Sequence, residues 1–295
     1  MALQHGDTWM VKAGVNEKTR EVVVTTSGMP TTDGDGVKMT RIIGTPELNL
    51  LDPFLLLDAF ESDQPQDYIG GFPSHPHRGF ETVTYLLAGR MRHKDSAGNE
   101  GVIEPGGVQW MTAGRGIVHS EMPEQENGLL MGFQLWVNLP ADMKMSEPAY
   151  QEFPPSGVPL EKHENGTEVR VISGITRLGT VGPVHNRHVN PTYLDVSLPA
   201  GESIEQEVAG KDNAFVFVID GVVDVGAQEK TLSRRTLGVL GLGHTIRLTA
   251  GAEGARLLLV AAQPLNEPVA RGGPFVMNTK EEIMQAFDDF KHNRF

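Results

Sequence analysis

Two stretches decide the fold of this chain: Gly70-Gly71-Phe72-Pro73-Ser74-His75-Pro76-His77-Arg78-Gly79-Phe80-Glu81 and Gly114-Arg115-Gly116-Ile117-Val118-His119-Ser120-Glu121. Successive side chains on a strand alternate faces, so His75 pairs with His77, and His119 with Glu121. Two neighbouring strands then bring three imidazoles and one carboxylate to a point, a set that suits a divalent transition metal. Four protein ligands on an octahedral ion leave two positions free for chemistry. One His-x-His pair decides little, because ten histidines in 295 residues give roughly 0.3 such pairs by chance. The combination carries the reading: Gly70-Gly71 precedes the pair, Glu81 follows it, and Gly116-x-x-His119 comes after the turn Glu104-Pro105-Gly106-Gly107. Glu81 shares the parity of His75 and His77, so it stands as a second candidate carboxylate.

Outward from these motifs the chain reads as short strands, among them Glu21–Val24, Thr82–Leu87, Gly132–Val137, Phe215–Ile219 and Arg256–Val260. Gly, Pro, Asn and Asp separate them, as in a sandwich or barrel. One helix is expected, at the end. Thr279-Lys280-Glu281-Glu282 reads as a capping box, and Ile283, Ala286, Phe287 and Phe290 follow at helical spacing.

The stretch 140–166 carries Pro148, Pro154, Pro155 and Pro159 among charged residues and has no steady periodicity, as a linker would. The expected division is therefore a metal-binding domain over 1–140, a linker over 141–166 and a second domain over 167–295. The halves are faintly alike. Setting Gly89 against Gly221 places His75 on Glu207, His77 on Ala209 and Glu81 on Asn213, so ligands survive in one copy only.

Composition narrows the function. Asp plus Glu number 38 against 25 Lys plus Arg, and the net charge of −13 argues against direct nucleic-acid binding. There is no cysteine, which removes disulfides, thiolate metal sites and cysteine nucleophiles and favours the cytoplasm. No apolar run approaches the roughly 20 residues a bilayer requires. The start, MALQHGDTWM, lacks the basic and apolar segments of a secretory leader. The chain contains no phosphate-binding loop, dinucleotide fingerprint or Gly-x-Ser-x-Gly elbow. His93 reads as a structural or surface residue at a turn, His185 and His188 as surface, and His244 as lacking a partner. Trp110, Phe133 and Trp136 read as core.

The arrangement of His75, His77, Glu81 and His119 is that of a cupin. The flanking strings are more specific. Leu51–Asp58 (LDPFLLLD), Gly70–Tyr85, Gln109–Pro123 and Gly273–Thr279 strongly resemble the pirin family, over a match from about residue 20 to the C-terminus. The resemblance implies an all-β bicupin: two facing cupin barrels, the second without metal ligands, ending in a short helix. Family ligands carry over onto His75, His77, His119 and Glu121. Glu81 then falls outside the ligand set, orienting a histidine through its other ring nitrogen.

Iron is the metal the resemblance implies, while imidazole and carboxylate also accept manganese, cobalt, nickel, copper or zinc. Bacterial pirin-like proteins imply a quercetin 2,3-dioxygenase activity that opens a flavonol heterocycle with dioxygen and releases carbon monoxide. Glu121 would then take the substrate's hydroxyl proton, and another enol or phenol could replace the flavonol. Eukaryotic pirins imply the alternative: a redox-sensitive metal protein that regulates transcription through a protein partner.

Overall fold

The computed structural model describes residues 19–186 and 188–295. The opening stretch read above for a secretory leader lies outside the described residues. The first half contains β1 (Val22–Thr26), β2 (Met29–Asp33), β3 (Val37–Ile43), β4 (Phe54–Ser62), β5 (Phe72–His77) and β6 (Phe80–Ala88). It continues with β7 (Met91–Asp95), β8 (Glu100–Ile103), β9 (Val108–Thr112), β10 (Ile117–Pro123), β11 (Leu130–Asn138) and β12 (Ala149–Phe153). The second half begins with β13 (Leu160–Lys162), β14 (Glu168–Ser173), β15 (Thr192–Leu198), β16 (Ser203–Glu207), β17 (Asn213–Val225) and β18 (Lys230–Ser233). It ends with β19 (Leu237–Leu240), β20 (Thr245–Ala262), β21 (Ala270–Gly272), β22 (Phe275–Met277) and the helix α1 (Lys280–Lys291).

These strands build two cupin units of jelly-roll type, as facing sheets rather than closed rings. The first unit pairs the sheet β12-β9-β6-β11-β4-β3-β2 with the sheet β5-β10-β7-β8. The second runs β1-β19-β17-β20-β15-β14-β13, with β16 on β20 and β18 on β17.

One strand shows why the units face each other. In β17, Ala214, Val216 and Val218 turn into the second unit, while Phe215, Phe217 and Ile219 join a core shared with the first. Both faces are buried, so the segment is apolar without interruption instead of alternating. Val83 and Tyr85 of β6 and Phe133 and Leu135 of β11 supply the opposite side of that shared layer. Phe54 meets Phe215 edge to face at 5.3 Å, and Phe133 meets Phe217 at 5.6 Å. Each such pair adds about 0.5–1.5 kcal/mol beyond its area.

The ends of the chain cross over, which the division at 140 and 167 does not anticipate. β1 pairs with β19, inside the second unit's sheet. The far end returns to the first unit: Val276 N–H donates to Arg78 O at 3.0 Å, and Val276 packs with Leu55 and Phe80. Arg78 is buried and pairs with Asp289 of α1 at 2.7 Å, with the Phe295 ring over its guanidinium at 4.3 Å. The buried Lys144 ammonium donates to Gly79 O, Asn138 Oδ1 and Val276 O at 2.8, 2.8 and 3.0 Å. The expected linker is likewise shared out, since β12 extends the first unit along β9 while β13 pairs with β14 of the second.

α1 carries the expected capping box, with Thr279 accepting from Glu282 N–H and the Glu282 side chain reaching back. Ile283 and Ala286 are its buried positions. Gly79 adopts φ +87°, and a Cβ there would stand 2.0 Å from Val276 O, so only glycine lets the returning chain approach.

Candidate metal centre

β5 and β10 pair antiparallel with His75 opposite His119 and His77 opposite Ile117. Alternation then turns His75, His77 and His119 to one side, and one ring nitrogen of each lies within 4.8 Å of the others. His77 and His119 are buried and His75 is half-buried. His75 Nδ1 sits 2.8 Å from Pro73 O. A carbonyl only accepts, so Nδ1 carries the proton and Nε2 keeps its lone pair. That Nε2 faces His77 Nε2 at 3.0 Å.

Burial, then the neighbouring His119 and His75, draw the His77 pKa well below its ordinary value. Burial also draws His119 down to about 4, against the opposing pull of Glu121. Neither ring nitrogen of His119 has a hydrogen-bond partner, nor does His77 Nδ1. Neutral, buried, converging imidazoles with spare lone pairs are what a divalent metal requires of its ligands. The residues present fit such an ion.

Glu121 lies in β10 two residues beyond His119, on the same side, but it is not among the three converging groups. Its carboxylate is held in place: Oε1 accepts from Thr84 Oγ1 at 2.8 Å and Oε2 from Gln134 Nε2 at 2.8 Å. A carboxylate oxygen has further lone pairs, so these bonds leave room for one more partner.

Glu81 differs from its expected position. β5 ends at His77 and β6 starts at Phe80 in the other sheet, so side-chain parity is not carried across Arg78-Gly79. Glu81 faces the second unit, where it accepts from Thr112 Oγ1 at 2.7 Å and Asn186 Nδ2 at 2.5 Å. It orients no histidine there. Burial raises its pKa to about 7, against those hydrogen bonds.

A cavity of about 520 Å³ opens beside the histidines. His75, His77, Gln134, Trp136, Phe72 and Arg41 form part of its wall. Trp136 therefore lines the cavity while also packing against Phe80 of the core, and Trp110 is buried as expected. His93 follows the structural of its two readings, on a strand and not at a turn: it lies buried in β7, opposite Glu121 in the ladder, with Nε2 2.6 Å from Glu152. His185 is exposed and His188 half-buried, and neither joins the histidine group. Thr84, Gln134 and Trp136 are the residues the motifs do not reveal. Alternation along the two strands carrying them was the available signal, because each points to the histidine side.

The fold and this side-chain set define a double cupin with a three-histidine site suited to a transition metal. The family model described as Pirin matches residues 36–137, and the one described as Pirin C-terminal cupin domain matches residues 193–295. A pirin-like protein of Caulobacter vibrioides is 55% identical over 94% of this chain and 99% of its own length. A Pseudomonas aeruginosa protein provisionally named quercetin 2,3-dioxygenase is 46% identical over 92% of this chain and 96% of its own. The crystal structure of quercetin 2,3-dioxygenase from Acinetobacter baumannii superposes with a TM-score of 0.86 at 35% identity, covering 94% of this chain and 98% of that one. The chain belongs to the pirin family. No helix among the described residues is long and apolar enough to cross a membrane.

Proposed function

We propose that this chain is a cytoplasmic, metal-dependent dioxygenase that opens the heterocycle of a flavonol such as quercetin, with iron as its working metal. One observation carries the reading: three imidazoles converge beside an aromatic-flanked cavity large enough for a drug-sized molecule, with His75 and His77 in its wall. Relatives named for quercetin 2,3-dioxygenase activity support it. His75, His77, His119 and Glu121 would hold the ion. Bound there, a metal supplies Lewis acidity and, as iron, one-electron chemistry with dioxygen.

The remaining steps belong to the protein. Trp136 and Phe72 offer flat apolar walls against which an aromatic substrate displaces water. Glu121 takes the proton of the flavonol 3-hydroxyl. Thr84 and Gln134 fix its two oxygens, so the base is already oriented when substrate arrives.

Quercetin mixed with iron-loaded protein should lose its absorbance only when oxygen is present, releasing about one carbon monoxide per flavonol consumed. Iron-loaded protein that leaves quercetin intact in air would instead fit a redox-sensitive regulator. The net charge of −13 favours a basic protein partner for that role over nucleic acid.

A further inference from the structure

The cavity beside the histidines is lined by two arginines with different circumstances. Arg41 is satisfied: its Nε and Nη2 grip Asp58 at 2.9 and 2.8 Å, and Nη2 also reaches Asp33 at 3.4 Å. Arg271 lies exposed on the wall of the same cavity, and its guanidinium makes no hydrogen bond or ion pair with any described residue. Partial burial and the nearby Arg41 charge both lower its pKa.

Arg271 is also well anchored through its backbone. It pairs with Val276 in the β21–β22 hairpin. A Cβ on the adjacent Gly272 would stand 2.4 Å from Ile283 Cγ2, so α1 packs directly against that hairpin. Phe275 meets Phe287 of α1 edge to face at 4.9 Å. The returning C-terminal segment thus places a free guanidinium fork over the first unit's cavity.

The pairing pattern gives the consequence. Both carboxylates of the wall, Asp58 and Asp33, are engaged by Arg41, and neither is within ion-pair distance of Arg271. Resting on the flavonol-type reading of the histidine site, we propose that Arg271 forms an anion subsite that selects substrates bearing a carboxylate at the end remote from their metal-directed hydroxyl. A planar fork matches a carboxylate with two parallel hydrogen bonds, which a lysine would not reproduce. Among flavonols and other enols or phenols, those that also carry a carboxylate at that remote end are therefore bound most tightly.

The test is calorimetric binding to zinc-loaded full-length protein, where no redox turnover intervenes. The probes are 4′-carboxy-3-hydroxyflavone and its methyl ester, with 4-hydroxycinnamate and its methyl ester as a pair independent of flavonols. Wild type should bind each acid about tenfold tighter than its ester, the scale of one charge-assisted contact. Arg271→Gln should abolish that preference and leave the ester affinities unchanged, and Arg271→Lys should restore only part of it. Acid preference that survives Arg271→Gln, or acids and esters binding alike in wild type, overturns the subsite. If neither flavone binds but 4-hydroxycinnamate shows the Arg271-dependent preference, the subsite stands and the flavonol reading falls. If Arg271→Gln does not fold, Arg271→Lys decides: an undiminished preference for acids overturns the bidentate subsite.

Discussion

The two cupin units share a framework and differ in what fills it. β5 and β10 pair His75 with His119, and the corresponding strands β16 and β20 pair Gln206 with Ile246. β10 sets Glu121 against His93, where β20 sets Leu248 against Val225. β6 and β11 bring Thr84 opposite Gln134, and β17 and β20 bring Val216 opposite Leu259. Position by position, polar groups of the first unit become Ile246, Leu248, Val225, Val216 and Leu259, all within one apolar cluster. Only Gln206 stays polar, and its amide is spent on the carbonyls of Ile175 and Glu207 at 3.0 and 2.8 Å.

The difference teaches that the fold is stable with an oil-filled interior. The first unit gives up that packing for a cavity, a Glu121 carboxylate held by Thr84 and Gln134, and histidine nitrogens left without a protein partner.

The largest break in the comparison is expected at Glu121. Glu121→Gln preserves shape and hydrogen-bonding length but removes the base, so flavonol turnover should fall about 10²–10⁴-fold in steady-state assays. Unchanged turnover with metal retained would remove Glu121 from the proton step.

Exchanging equivalent residues sharpens the contrast. Leu259→Gln places an amide in the apolar cluster and should cost about 1–3 kcal/mol in denaturant unfolding. Its mirror, Gln134→Leu, conserves volume but strips a buried Glu121 oxygen of its donor and should also cost about 1–3 kcal/mol. That variant frees one Glu121 oxygen, and metal affinity should drop about 10–100-fold in a chelator competition.

The smallest effect concerns the layer between the units. Glu81 titrates at about 7 in the fold against an ordinary 4.5, because it is buried without a cation. The folded state holds that proton more tightly than the unfolded chain does. The contribution is therefore complete below pH 4.5 and is lost as pH rises toward 7. Glu81→Gln should leave the unfolding free energy unchanged at pH 4 and raise it at pH 8 by on the order of 1–3 kcal/mol. Equal effects at both pH values would contradict this origin.

Much of this was legible from residue types. The histidine pairing follows from alternation on β5 and β10, and the helix from the Thr279–Glu282 capping box. Glu81 was misplaced because parity holds only within one strand, and the chain changes sheets at Arg78-Gly79. The Gly89–Gly221 correspondence holds along β6 and β17, but β16 slips by one residue. Gln206 and Val208 therefore take the interior places assigned to Glu207 and Ala209, which are exposed. Thr84, Gln134 and Trp136 are ordinary strand residues, and only their cross-strand neighbours show them as part of a site. The pairing of β1 with β19 and the return of α1 to the first unit are contacts between distant segments, which local periodicity does not encode.

The most direct test of the metal assignment is an anomalous-difference map from crystals of protein purified with its own metal, collected on both sides of the iron edge. A single peak is expected about 2 Å from ring nitrogens of His75, His77 and His119, with the second unit empty. A first unit without that peak, or a peak held by other residues, would contradict it.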